Sequence, residues 1–205
     1  MSPRPYRLDR RQAAAEETRA RIITAARELL SAGDGVAGFS IDAVAREAGV
    51  ARMTVYYQFS SKRGLYEALA DNLATRAEIG ERLRVAFRQE DALDALDAFI
   101  AAFGHFWTPD RVLIRRLHGV AATDPEIGRG ELERNERRRS GLRVVLERVA
   151  AQYGRPESFD EAVDVLHTLT SFETFDSLAG TTRSPEEVVA VVQRLARAVL
   201  GLPNR

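Results

Sequence analysis

A predicted helix of about residues 51–57 carries side chains that could contact the bases of a DNA duplex. Its outward face combines a cation, a thioether, a hydroxyl, a phenol and an amide, which belong to Arg52, Met53, Thr54, Tyr57 and Gln58. An arginine in a major groove can donate two hydrogen bonds to one guanine, which discriminates against other bases by ~1–3 kcal/mol. Water alone does not require such a mixture, so we interpret this helix as a DNA-reading element. A solvated helix surface is the alternative, and the buried face would hold Val55, Tyr56 and Phe59.

The residues before this helix have the pattern of a second short helix and a tight turn. Ser40 is expected to cap that helix, and Asp42 in its first turn complements the helix dipole. Apolar residues follow at helical spacing, namely Ile41, Val44, Ala45 and Ala48. Gly49 stands where a left-handed turn residue is expected. Two short helices joined in this way predict a helix-turn-helix, whose second helix enters the major groove.

Three segments around this turn have a specific spacing of residues. They read Thr-Arg-Ala-Arg-Ile-Ile-Thr-Ala-Ala at 18–26, Gly-Phe-Ser-Ile-Asp-Ala-Val-Ala-Arg-Glu-Ala-Gly-Val at 38–50 and Thr-Val-Tyr-Tyr-Gln-Phe-Ser-Ser-Lys-Arg-Gly-Leu at 54–65. Together they resemble the DNA-binding domain of the TetR/AcrR family of transcriptional regulators. The chain departs from that family at Met53, where Gly or Pro is more frequent. This difference concerns base preference rather than the fold.

The resemblance also implies roles for single residues and for the C-terminal part. Family positions that approach bases match Arg52, Met53 and Thr54. Family positions that mostly hold phosphates match Ser40, Tyr56, Tyr57 and Lys62. The family forms homodimers through its last two helices, which correspond here to about residues 158–200. Its C-terminal helices are also expected to hold a small-molecule effector.

Charge is distributed unevenly along the chain, although the formal net charge is zero. Residues 1–63 contain eleven basic and seven acidic side chains, which gives this part a net charge of +4. A basic first third is a modest electrostatic footprint for DNA. Residues 1 to about 12 are expected to form a basic arm that reaches phosphates or a minor groove, or else a solvated tail.

Composition narrows the functional classes further. The chain contains no cysteine, which removes disulfides and cysteine-based zinc sites and is compatible with a reducing cytoplasm. No apolar run approaches the ~18 residues that a membrane span needs. The first residues do not have the pattern of a signal peptide. We therefore expect a cytoplasmic protein without a membrane partner.

The periodicity of apolar residues predicts an all-α protein with about nine helices. They are expected at about 13–32, 41–48, 51–57, from 60 or 61 to 87, 91–107, 109–122, 124–152, 158–180 and 185–200. Residues 33–38 match the glycine spacing of a dinucleotide site, but no strand precedes them, so we interpret them as a loop. The long fourth helix would join a DNA-binding domain of residues 1–70 to a ligand-binding and dimerisation domain of residues 71–205.

Aromatic and polar residues of the C-terminal part are candidates for a ligand pocket. A pocket between helices would combine apolar walls with a few polar groups. The candidates are Phe99, Phe103, Trp107, His118, His167 and Thr170. A packed core with satisfied polar groups explains the same residues equally well. The histidines have no metal-ligand spacing, so neither a metal site nor a cofactor is expected.

The predicted function is a ligand-responsive, DNA-binding transcriptional regulator. The favoured form is a repressor that binds a near-palindromic operator as a homodimer and is released by a small molecule. Two other functions stay open at this point. An architectural DNA-binding protein without a ligand would show shallow sequence preference. An all-α enzyme would need a nucleophile–base pair or a carboxylate cluster, and we find neither pattern, so the protein is not expected to be an enzyme.

Overall fold

The computed structural model describes residues 4–32 and 38–203, with side chains from Arg11 onward. Within these ranges the protein is helical and contains no strand, which confirms the predicted all-α class. The helices are α1 (Arg4–Ser31), α2 (Ile41–Glu47), α3 (Arg52–Phe59), α4 (Lys62–Arg76), α5 (Ile79–Arg88), α6 (Ala92–Trp107), α7 (Arg111–Thr123), α8 (Pro125–Tyr153), α9 (Phe159–Leu169), α10 (Phe172–Ala179) and α11 (Pro185–Val199). None of these helices is both long enough and apolar enough to cross a bilayer.

The predicted long fourth helix is wrong, because the chain breaks after α4. Glu78 has a left-handed backbone with a φ of 53° and forms the N-cap of α5. Nε of Arg82 donates to the carbonyl of Ala77 at 3.2 Å, which supplies a donor to the end of α4. The break allows α5 to pack along α6, where the rings of Phe87 and Phe99 meet edge to face at 6.2 Å.

The predicted helix of residues 158–180 is likewise divided, into α9 and α10. Thr170 ends α9, and Ser171 caps α10 because its Oγ accepts a hydrogen bond from the backbone N of Thr174 at 3.3 Å. The backbone carbonyl of Thr170 accepts a hydrogen bond from Nε1 of Trp107 at 3.1 Å. A serine with capping geometry therefore begins a new helix where the periodicity predicts a continuous one.

Helix α1 begins nearer the start of the chain than predicted. Its first residue is Arg4, whereas the sequence predicts an arm or tail up to about residue 12. Residues 1–3 and the side chains of residues 4–10 lie outside the described part, so DNA contact by this segment stays a prediction. Residues 33–37 of the predicted loop also lie outside it.

The chain forms two compact units. The first consists of residues 1–72 and 112–131, and the second of residues 73–111 and 132–205. The first unit thus contains α7 and the beginning of α8 in addition to the helix-turn-helix. The domain boundary at residue 70 stays a prediction.

In the first unit, α1 to α4 surround fully buried aliphatic side chains. These are Ile22, Leu30, Val44, Val55, Leu65 and Leu69, all at 0% exposure. Gly64 lets α4 lie close to the end of α3, because a Cβ at this position would lie 2.0 Å from the carbonyl oxygen of Phe59. Arg116 of α7 donates to the backbone carbonyls of Leu30 and Ala32, so α7 holds the end of α1.

In the second unit, α6 packs against α5, α10 and α11. Gly104 permits this close packing, because a Cβ there would lie 2.4 Å from Cγ2 of Val189 and 2.8 Å from the ring of Phe175. Helix α11 begins with a capping box in which Ser184 and Glu187 satisfy each other's backbone N–H groups. The start of α11 is therefore fixed locally, and its apolar face is directed at α6.

Candidate nucleic-acid interface

The turn between α2 and α3 has the geometry that the sequence predicts. Oγ of Ser40 accepts a hydrogen bond from the backbone N of Ala43 at 3.1 Å, which caps α2. Gly49 has a φ of 63°, and the backbone N of Val50 donates to the carbonyl of Ala45 at 2.9 Å. The left-handed glycine ends α2 and turns the chain toward α3.

Helix α3 exposes side chains that the sequence assigns to DNA contact. Met53 is 72% exposed and Tyr57 is 85% exposed, although both are large and mainly apolar. Arg52 is exposed beside them, and Thr54 is half-buried. The other face is buried, as predicted for Val55 and Phe59. The helix is therefore anchored on one side and open on the other.

Three residues of α3 differ from their predicted placement. Thr54, expected to face outward, and Tyr56, expected to be buried, are both half-buried. Gln58, expected to face outward, turns toward α1, and its Nε2 donates to the carbonyl of Ala15 at 3.3 Å. The backbone carbonyl of Gln58 accepts a hydrogen bond from Nη1 of Arg19 at 2.7 Å. Gln58 therefore holds α3 against α1, an interaction across 43 residues that helical periodicity does not reveal.

The guanidinium of Arg52 is held between two side chains. Nη1 donates to Oδ2 of Asp42 at 3.0 Å, and Nη2 donates to the hydroxyl of Tyr56 at 3.4 Å. The hydrogen bond with Tyr56 and then the charge of Asp42 raise the pKa of Arg52 above its usual value. The sequence pattern assigns Asp42 only to the helix dipole, because the turn that brings it to Arg52 is not visible in residue spacing.

Lys62 has a carboxylate partner. Its Nζ donates to Oδ2 of Asp124 at 3.1 Å, and the two side chains are 38% and 26% exposed. Lys62 is the first residue of α4, directly after Ser61, whose Oγ accepts a hydrogen bond from the backbone N of Gly64 at 3.0 Å. A helix N-terminus suits a phosphate, but here the ammonium charge is already balanced. The phosphate contact of Lys62 stays a prediction.

Asp124 also caps α8. Its Oδ1 accepts hydrogen bonds from the backbone N of Glu126 at 3.1 Å and of Ile127 at 3.3 Å. Burial by itself raises the pKa of Asp124, but the hydrogen bonds from Lys62 and from the backbone of Ile127 outweigh it. The pKa therefore lies below its usual value, and the carboxylate is ionised at neutral pH.

A second polar contact lies one turn further along α4. The hydroxyl of Tyr66, which is 1% exposed, donates to Oε2 of Glu131 at 3.0 Å. Nε2 of His118 lies 3.2 Å from Oε1 of the same carboxylate. His118, a candidate ligand residue, thus takes part in a polar network of the first unit. The other five ligand candidates belong to the second unit.

Three of those candidates form an aromatic row along α6. Phe99, Phe103 and Trp107 are 1%, 7% and 8% exposed. The ring centroids of Phe99 and Phe103 lie 5.0 Å apart, and those of Phe103 and Trp107 lie 5.9 Å apart. Trp107 also meets the ring of Phe172 at 5.8 Å. The row is packed into the core of the second unit.

Hydrogen-bonded polar groups lie next to this row. Nη1 of Arg138, which is 7% exposed, donates to Oγ1 of Thr170 at 2.8 Å and to the backbone carbonyl of His167 at 2.5 Å. Nε2 of His167 lies 3.2 Å from the backbone carbonyl of Asn135. Burial and then the positive charge of Arg138 lower the pKa of His167. Sequence reasoning missed Arg138, because nothing distinguishes it among the many arginines of α8.

The clefts of the second unit include two small ones. One of about 80 Å³ lies beside His105 and Phe106. The other, of about 30 Å³, lies beside Trp107 and the ion pair of Arg111 with Asp176, whose atoms are 2.7 Å apart. A drug-sized ligand needs roughly 300 Å³ or more, so neither cleft accommodates one in this conformation. Across the residues described, no cluster of three His, Asp or Glu side chains could hold a metal ion.

Comparisons of sequence place the helix-turn-helix among known proteins. Residues 22–69 match the profile described as "Bacterial regulatory proteins, tetR family". The chain is 47% identical over 57 residues to the HTH-type transcriptional regulator SrpR of Pseudomonas putida. This alignment covers 28% of this chain and 26% of SrpR. It is 40% identical over 82 residues to the probable HTH-type transcriptional regulator ArpR of the same organism. This alignment covers 40% of this chain and 37% of ArpR. The chain therefore aligns with only a quarter to two fifths of these curated relatives.

Comparisons of structure extend over most of the chain. A crystal structure from Pseudomonas aeruginosa PAO1 superposes with a TM-score of 0.73 at 22% identity and covers 91% of each chain. A TetR-like transcriptional regulator from Rhodococcus sp. RHA1 superposes with a TM-score of 0.66 at 21% identity, over 90% of this chain and 96% of the other. At these identities the likeness establishes the fold.

Proposed function

The chain belongs to the TetR family of bacterial regulatory proteins, and from this premise we propose that it is a transcriptional repressor that binds DNA as a homodimer and is released by a small molecule. One observation carries the proposal. Helix α3 is anchored through Val55 and Phe59 and presents Met53 and Tyr57 to the outside. Large, exposed side chains of mainly apolar character suit contact with a partner.

We assign base contacts to Arg52, Met53 and Thr54. Contacts to phosphates are assigned to Tyr56 and Tyr57 within α3, to Ser40 before it and to Lys62 after it. The hydrogen bonds of Arg52 with Asp42 and Tyr56 orient its guanidinium. This supports a base contact by Arg52, because a guanidinium that is already oriented loses less side-chain entropy on binding. Backbone contacts fix the register of the helix on the duplex, and base contacts supply the specificity.

Dimerisation is proposed through about residues 158–200. Apolar residues of this segment differ in their exposure. Val163, Leu166, Phe172, Val188 and Val192 are buried within the chain, whereas Val165, Leu195 and Val199 are 37%, 42% and 38% exposed. The exposed set supports a contact with a second copy. Two recognition helices would then bind successive major grooves ~34–36 Å apart, or at a wider spacing, on a near-palindromic operator in the cytoplasm.

The ligand response is proposed for the second unit, near Phe99, Phe103, Trp107, His167 and Thr170. The polar groups of His167 and Thr170 lie next to an aromatic row, which is the combination that a small-molecule site uses. A ligand that entered either of the two small clefts would have to separate packed side chains. The ligand could then shift the equilibrium between a DNA-binding and a released conformation only by the difference between its affinities for the two, typically ~1–3 kcal/mol.

In vitro selection of the purified protein on random duplex DNA at near-physiological salt tests the proposal. We expect recovery of an inverted repeat, which would establish the dimer and the base readout together. Recovery of no shared sequence would contradict sequence-specific regulation.

The packed aromatic row also favours a second candidate, a DNA-binding protein that has no effector. The two candidates differ in a thermal-shift screen of small apolar and amphipathic molecules. An effector that weakens operator binding is expected to raise the unfolding temperature. A ligand-free architectural protein is expected to respond to none and to show shallow sequence preference in the selection.

A further inference from the structure

Lys62 is the only lysine of the chain, and its charge is engaged within the protein. The distance of 3.1 Å between Nζ and Oδ2 of Asp124 is that of a charge-assisted hydrogen bond. Both side chains are partly buried, at 38% and 26% exposure, so solvent screens the pair less than it screens a fully exposed one. The pair joins the first residue of α4 to the turn between α7 and α8.

The carboxylate of Asp124 is fixed in place by its other oxygen. Oδ1 accepts hydrogen bonds from two backbone N–H groups at the start of α8, those of Glu126 and Ile127. Oδ2 remains directed at Lys62. The two oxygens therefore have separate roles, one in capping the helix and one in balancing the ammonium charge.

The contact of Tyr66 with Glu131 joins the same two segments of the chain as the pair of Lys62 with Asp124. Tyr66 follows Lys62 by four residues on α4 and binds Glu131, which follows Asp124 by seven residues on α8. Spacings of four and seven residues place each pair on one face of its helix. Two carboxylates of the α7–α8 segment thus face two side chains of α4, and only one of the two side chains is a cation.

We propose that Asp124 competes with DNA phosphate for Lys62 and thereby sets the affinity of the protein for DNA. This inference rests on the proposed function, because it requires that α4 approaches a DNA backbone. A lysine is a compact point charge that binds carboxylate and phosphate alike. While Nζ is paired with Asp124, its charge does not displace a counterion from the duplex. The two anions therefore compete for one ammonium, and Lys62 contacts the duplex only in the fraction of complexes in which it has left Asp124.

Substitution Asp124→Asn tests the proposal. Asparagine is as good an N-cap as aspartate, so the start of α8 is retained while the negative charge is removed. We expect about 3- to 10-fold tighter operator binding, since partly exposed ion pairs are of modest strength. We also expect the plot of log K against log salt to steepen by up to ~0.9, the value for one full phosphate contact, because the wild-type lysine divides its time between carboxylate and phosphate. Asp124→Ser, a second capping residue, repeats the test if the asparagine variant does not fold.

Glu126→Gln is the matched control. Glu126 is an exposed acid of the same helical turn, and Asp124 rather than Glu126 holds Lys62. The control removes the same charge and leaves the lysine pair intact, so its salt slope is expected to equal that of the wild type. Equal tightening and equal slopes in both variants would overturn the proposal, because a general charge effect would explain them.

The double variant Lys62→Ala with Asp124→Asn separates competition from other effects. Lys62→Ala alone is expected to weaken binding and to flatten the salt slope. In that background, Asp124→Asn is expected to leave the slope unchanged. If Asp124→Asn steepens the slope without Lys62, the carboxylate acts on another group and the proposal is wrong.

The single lysine provides a direct readout. Protein labelled with 13C only in lysine gives one set of side-chain NMR signals, that of Lys62. We expect these signals to shift on Asp124→Asn and again on addition of operator DNA to the wild type. Signals that do not respond to operator would overturn the inference while leaving the proposed function intact. If the wild type selects no operator at all, the proposed function fails, and the inference fails with it.

Discussion

Single residues at the interface are held by partners that are distant in sequence. The exposure of Met53 and Tyr57 follows from helical periodicity, and the structure confirms it. The contacts of Arg52 with Asp42 and of Lys62 with Asp124 do not follow from periodicity, because they span 10 and 62 residues and depend on how turns direct the chain. Residue types therefore predict that Met53 and Tyr57 of α3 are exposed but do not identify the charges around that helix.

Arg52→Ala is expected to weaken binding to the selected operator more than binding to unrelated duplex DNA. The physical reason is the loss of a bidentate base contact, worth ~1–3 kcal/mol or about 5- to 150-fold in the affinity ratio. Fluorescence anisotropy with both duplexes measures the ratio. Arg46→Ala removes an exposed arginine from α2 and is expected to leave the ratio unchanged. Equal losses on both duplexes for Arg52→Ala would exclude it as a base reader.

The stability of the protein is expected to fall as the pH drops below about 6.5 through the effect of His167. Its pKa is lowered in the folded state, first by burial and then by Arg138, whereas the unfolded chain binds a proton with an ordinary histidine pKa near 6.5. The unfolded state therefore binds more protons in acid, and the stability present above pH 6.5 is lost as the pH falls through the folded pKa.

Thermal unfolding between pH 5 and pH 8 measures this effect. His167→Gln cannot be protonated, so its unfolding temperature should decline less in this range than that of the wild type. His105→Gln replaces an exposed histidine and should retain the decline of the wild type. If His167→Gln declines as steeply as the wild type, other groups cause the pH dependence.

At the level of elements, the start of a helix was easier to predict than its interruption. Ser40 is predicted as a cap, and it accepts the expected backbone hydrogen bond from Ala43. The breaks at Glu78 and at Thr170 were not predicted, because the residues there are compatible with a helix. Tertiary contacts decide these positions: α5 turns to pack along α6, and the carbonyl of Thr170 is directed to Trp107.

Two glycines within helices are expected to respond oppositely to alanine. Gly64→Ala should lower the free energy of unfolding by ~1–3 kcal/mol, because the new Cβ would overlap the carbonyl oxygen of Phe59. Gly80→Ala has open space around its Cβ and should raise stability by up to about 1 kcal/mol, since alanine loses less backbone entropy in a helix. Chemical denaturation of both variants measures the difference. A stabilised Gly64→Ala would show that the contact between Gly64 and Phe59 is looser than the 2.0 Å distance between that Cβ and the carbonyl oxygen.

At the level of the whole molecule, the proposed dimer depends on apolar side chains that the single chain leaves exposed. Leu195→Glu places a charge within the exposed set of residues 158–200 and is expected to convert dimers into monomers. Val144→Glu, at a residue of α8 that is 50% exposed and outside that set, is the matched control and should remain dimeric. Light scattering coupled to gel filtration determines both masses. A dimeric Leu195→Glu protein would place the interface elsewhere.

The break at Glu78 has a mechanical consequence. Helix α4 contains 15 residues and is about 22 Å long, whereas an unbroken helix to residue 87 would measure about 40 Å. A rigid rod converts rotation at one end into displacement at the other in proportion to its length. The shorter α4 needs almost twice the rotation for the same displacement. A force from α5 reaches α4 only through the joint between them, which is the turn at Glu78. Stiffening that joint, rather than lengthening the rod, is the change that would couple the two helices more tightly.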